Sequence, residues 1–131
     1  MNLIEGYRIM FCFLDAYYWK NESDELGDLL SSMSLLSDNI PADSANKKDW
    51  EIAVAEILGQ KEGDVLSSDT VYLAMIIFLG NWASLGTDGT ISALCEDLEK
   101  SSSKSNEWLD AVKTVMEGND DPYLHLIKTT K

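Results

Sequence analysis

LIEGYRIMFCFLDAYYWKNESDELGDLLSSM, residues 3–33, carries the pattern that decides the fold. Leu3, Tyr7, Met10, Leu14 and Tyr17 recur at helical spacing, with Ile4, Phe11 and Tyr18 beside them, and leave Glu5, Arg8 and Asp15 off the stripe. Residues 2–20 therefore read as a first helix. Asn21-Glu22-Ser23 interrupts it, and Ser23 can cap a second amphipathic helix built on Leu26, Leu29, Leu30 and Met33. Asp24 and Glu25 stand at that helix's positive end, where carboxylates are favoured. The polar text around Pro41 reads as a loop, and a third helix enters at Asp49 with Trp50, Ala53, Val54, Ile57 and Leu58 facing inward.

The same order of events then recurs. The gapless register that lays Tyr7 on Tyr72 also lays Met10 on Met75, Phe13 on Phe78, Leu14 on Leu79 and Leu29 on Leu94. It also pairs Tyr17 with Trp82, Leu26 with Ile91, Leu30 with Cys95 and Met33 with Leu98. After a shorter second loop, a second register lays Trp50 on Trp108, Ala53 on Ala111, Val54 on Val112, Ile57 on Val115 and Leu58 on Met116. The expected architecture is all-α: one helical domain over residues 1–131, about six helices, with pseudo-repeats at about 3–60 and 68–118 and a C-terminal tail at 119–131. The expected later helices run over about 69–84, 88–100 and 105–117, and the fourth, apolar on nearly every side, is expected to be the most buried. Tyr123-Leu124-His125-Leu126-Ile127 is expected to pack as a short tail.

A chain of 131 residues with 45% apolar residues and four tryptophans has enough material for a core. Its 23 carboxylates face only 10 lysines and arginines, giving a net charge of −13. That potential repels phosphate backbones and anionic lipid, so nucleic acid and membrane surfaces are disfavoured as partners and a basic protein is favoured. Solubility alone is the competing explanation for the charge. The most apolar run, Val71–Leu79, is far shorter than the roughly 20 residues needed to span a bilayer. With no basic and apolar leader pattern at the start, the expected location is cytoplasmic.

Catalytic patterns are missing from the text. His125 is the single histidine, and Cys12 and Cys95 form no Cys-x-x-Cys pair and read as buried free thiols. Three such residues are too few for a structural zinc site, and no EF-hand or Gly-Lys-Ser/Thr phosphate loop occurs. The expectation is a protein that is not an enzyme and uses neither cofactor nor metal.

What stands out is an acidic and aromatic junction: Tyr17, Tyr18 and Trp19 beside Glu22, Asp24, Glu25 and Asp28. Consecutive helical residues point about 100° apart, so three adjacent rings cannot share one face and at least one is expected outside. Tyr18, Trp19, Glu22, Asp24, Glu25 and Asp28 form the candidate partner-binding set. The rings could instead staple the corner between the first two helices.

FLDAYYWKNESDELGDLLSSMSLL (13–36), PAD (41–43) and DWEIAV (49–54) together resemble a family of small helical bacterial immunity factors from contact-dependent growth inhibition and other polymorphic toxin systems. The resemblance covers mainly the N-terminal part of the chain, ending between Ala55 and Gln60, and rests on helix ends and an Asp-Trp step, with no catalytic motif. It implies a cytosolic toxin inhibitor that binds the toxic domain of a cognate effector. Many such toxins are basic nucleases, which an anionic surface would meet quickly and with salt sensitivity. A protein-interaction or regulatory module unrelated to toxins is the other reading, and pairing of the chain with itself stays open.

Overall fold

The computed structural model describes residues 1–20, 23–36, 40–58, 66–84 and 89–120. They form α1 (Leu3–Lys20), α2 (Asp24–Met33), α3 (Ala45–Leu58), α4 (Ser68–Ala83), α5 (Thr90–Lys100) and α6 (Asn106–Met116). An isolated antiparallel bridge between Leu35 and Pro41 is the only extended pairing among them. The fold is an all-α bundle.

Local chemistry sets most of the ends. Ser23, Ser67 and Ser105 each take an extended conformation, and their side chains accept from the backbone N–H groups of Leu26, Thr70 and Trp108. The third helix starts at Ala45, one turn ahead of the Asp49 entry expected from apolar spacing. Asp43 Oδ1 accepts from Ala45 N at 3.1 Å, and Asn46 in the first turn is buried. Asn46 donates to Ser32 Oγ at 2.9 Å and accepts from Trp82 Nε1 at 3.4 Å, so a satisfied polar residue does the inward packing there. The segment 121–131, with His125, lies outside the described residues.

The two sequence registers reappear as contacts. Tyr7 donates its hydroxyl to the Met33 carbonyl at 2.8 Å, and Tyr72, its counterpart, donates to Leu98, the counterpart of Met33, at 2.7 Å. Trp50 meets Tyr7 edge to face at 6.3 Å, as Trp108 meets Tyr72 at 5.2 Å. Each tryptophan also crosses to the other half: Trp50 packs on Phe78 and Trp108 on Phe13, again edge to face. Correspondingly, α3 lies on α4 and α6 on α1, so the third helix of each half rests on the first helix of the other. Where α1 crosses α4, Gly6 and its counterpart Val71 meet: a Cβ on Gly6 would sit 3.0 Å from Val71 Cγ2 and 3.3 Å from Trp50 Cζ2. One core runs through both halves, from Ile9, Met10 and Leu14 to Met75, Phe78 and Leu79.

The fourth helix, expected to be the most buried, is covered on most sides but not on all. With α1, α3 and α5 packed around it, a remaining strip keeps Leu73 exposed and Ile76 and Ile77 half-buried.

Candidate functional site

At the end of α1 the adjacent rings take separate positions. Tyr18 lies against α2, where its ring edge would be 3.4 Å from a Cβ on Gly27. Trp19 meets Tyr18 edge to face at 5.8 Å and is 69% exposed. Stapling therefore falls to Tyr18, and Trp19 is the ring left facing water. Asp24 and Asp28 are exposed on α2, and Asp97 is near enough to Tyr17 to add to the upward shift that burial gives its phenol.

Glu25 does not belong with the surface carboxylates. It is only 7% exposed, and its Oε1 accepts from Thr90 N at 3.1 Å and from Ile91 N at 3.4 Å. These are the first N–H groups of α5, whose N-cap, Gly89 at φ +80°, supplies no side-chain acceptor. A carboxylate at a helix N-terminus satisfies otherwise orphan donors and meets the positive end of the dipole. Thr90 is the counterpart of Glu25 in the register that aligns the two halves, and Gly89 brings no side chain to the start of its own helix; those two signals were present in the sequence. Glu22 lies outside the described residues.

Burial favours the protonated forms of both thiols and of several phenols. Cys12 and Cys95 are free and half-buried rather than fully enclosed. Burial first, and nearby carboxylates second, push both thiols up: Asp120 and Asp15 act on Cys12, and Glu99 acts on Cys95. The Tyr7 phenol is driven well above its ordinary range by burial and then by Asp43. Burial also raises Tyr72, partly offset by a hydrogen bond with Ser101. Among the described residues no three His, Cys, Asp or Glu side chains converge as a metal site would require, and no helix is long and apolar enough to cross a membrane.

Two grooves open beside the buried tyrosines. One, of about 280 Å³, lies between the start of α1 and α3, lined by Leu3, Ile4, Tyr7, Pro41 and Trp50 with Lys47 and Glu51 at its mouth. The other, of about 530 Å³, runs along α4 between Ile57 of α3 and the end of α5, and its lining includes Leu73, Ile76 and Ile77 with the carboxylates Asp69 and Glu99. Apolar residues on nearly every side of α4 gave no sign in the sequence of which strip would stay uncovered.

No protein-family model, curated protein or solved structure matches this chain. The likeness of residues 13–54 to immunity factors gains no support from those comparisons.

Proposed function

We propose that this chain is a non-catalytic interaction module that binds a basic partner protein, with Trp19 as an anchor. The observation that carries the reading is the exposed indole at a corner bearing Asp24 and Asp28. Leaving a tryptophan in water forgoes a large burial gain, and tryptophan is among the residues that dominate interface energy when a partner covers it. Exposed carboxylates around it steer a cationic partner and speed encounter. Glu25 has no part in that surface, because its carboxylate holds α5.

Affinity capture from the producing cell tests this. The full chain should retain a protein of high isoelectric point at low salt and release it as salt rises, since screening shortens the reach of exposed charges to about 8 Å near physiological ionic strength. Trp19→Ala should lose at least roughly tenfold in affinity, the scale of an interface anchor. Retention that ignores both the substitution and the salt would contradict the reading.

An immunity factor against a basic toxin domain is the narrower form. It draws on the net charge of −13 and on the resemblance of residues 13–54. Growth of cells arrested by a cognate effector's toxic domain should recover when this chain is co-expressed and stay arrested with Trp19→Ala.

A further inference from the structure

We infer that the seam between α3 and α4 is a docking groove for a basic amphipathic helix of a partner protein. This rests on the basic-partner reading but assigns a face of its own, distinct from the Trp19 corner. The molecule contains its own reference for that seam. The two registers that align the halves place Leu73, Ile76, Ile77 and Ile57 at the positions of Arg8, Phe11, Cys12 and Val115 in the junction of α1 with α6. There the matching positions are covered: Phe11 and Val115 are buried. Gly118, at φ +77°, turns the chain back after α6, with its N–H bonded to the Val115 carbonyl and that of Asn119 to Thr114. Arg8 then grips Asp120 through two hydrogen bonds of 2.9 and 2.7 Å. The Asp120 side chain is only 2% exposed and acts on Cys12, one helical turn further along α1.

In the other seam the described residues supply no such closure; Gln60, Lys61 and Glu62, the counterparts of Gly118, Asn119 and Asp120, lie outside them. Leu73 replaces the arginine and is 47% exposed, and Ile57, Ile76 and Ile77 are half-buried along a groove of about 530 Å³. A row of aliphatic side chains between two packed helices is the surface into which a third helix lays its apolar face. The charges select its sign. Where Arg8 receives a carboxylate, the open seam presents carboxylates of its own: Asp69 of α4, which accepts from the Ser103 hydroxyl, and Glu99 of α5. An occupant with lysine or arginine beside its apolar row meets both demands. A second copy of the chain, at −13, would bring carboxylate against carboxylate.

The test uses the full chain with labelled Ile, Leu and Val methyls and the Trp19 indole N–H as a second reporter. Three synthetic helical peptides are titrated in: one of leucine and lysine in amphipathic register, one with glutamate replacing lysine, and one with alanine replacing leucine. The leucine–lysine peptide should shift Ile57, Leu73, Ile76 and Ile77 while leaving Ile9 in place, and the other two should bind at least roughly tenfold more weakly. Leu73→Ser, at an exposed position, should weaken that peptide roughly tenfold, and Asp69→Asn with Glu99→Gln should weaken it several-fold. Shifts confined to Trp19 would overturn the groove while leaving the basic-partner reading standing. Equal binding of the alanine–lysine peptide, or an unchanged affinity in Leu73→Ser, would also overturn the groove. Methyl shifts that grow with protein concentration alone would replace the partner helix with a second copy.

Discussion

The junction of α1 with α6 and that of α4 with α3 are built from matched residues, yet among the described residues one is closed and the other open. Both place a tryptophan against a tyrosine of its own half and a phenylalanine of the other. They differ at the outer edge, where Arg8 holds Asp120 in one and Leu73 faces water in the other. The aromatic contacts that hold the two halves together are thus duplicated, and the outer edge is one place where they differ.

The largest expected effect breaks the closed seam. Arg8→Ala strips a nearly buried carboxylate of its guanidinium and should cost about 2–3 kcal/mol, part of the arginine being screened by water. Leu73→Ala, at the matched position, should cost less than about 1 kcal/mol. Denaturant midpoints of the two variants measure the contrast, and equal losses would mean that the seams are equally closed.

Two glycines sharpen it further. Alanine normally stabilises a helix over glycine by about 0.5–1 kcal/mol. Gly80→Ala should do so, because nothing lies within 4 Å of the added Cβ. Gly6→Ala should instead destabilise by about 1–3 kcal/mol. Its Cβ meets Val71, whose rotamer a helix restricts, and Trp50, held by an Nε1 bond of 3.1 Å to the Leu3 carbonyl. A stabilised Gly6→Ala variant would show that the helices can separate at that crossing.

The tryptophans differ in a subtler way. Trp50 Nε1 is bonded, while buried Trp108 Nε1 has no partner among the described residues. Trp50→Phe should therefore cost about 1–2 kcal/mol more than Trp108→Phe, since only the first loses a hydrogen bond and the second removes an orphan donor.

The smallest effect is alkaline. Both buried phenols are raised, so below the unfolded value of about 10 each is protonated in either state and contributes no pH dependence. Above it the unfolded chain releases protons that the folded chain retains, and stability falls as pH climbs toward the folded values. Tyr7→Phe should flatten that decline in a melting series above pH 10 more than Tyr72→Phe, because Tyr7 is shifted further.

Apolar spacing was enough to place the helices and the matched core, since Leu26 with Ile91 and Leu29 with Leu94 are buried in both halves. It could not show which half a third helix packs on, because equivalent positions are compatible with either partner. The start of α3 was hidden because Asn46, a polar residue, takes an inward position that apolar periodicity does not register. The candidate surface was half legible. Three adjacent rings required one to be exposed, and Trp19 is that ring, but the inward turn of Glu25 depends on the distant start of α5. The open strip on α4 was invisible because an apolar sequence does not reveal how many neighbours a helix has.

Native-state hydrogen exchange of the buried amides in α3 and α6 addresses the interlocked core most directly. With each third helix seated on the other half, those amides should converge on a single opening free energy, equal to that of global unfolding, as denaturant is raised. Opening of α3 at lower free energy while α6 stays protected would show two separable halves and contradict the interlocked core.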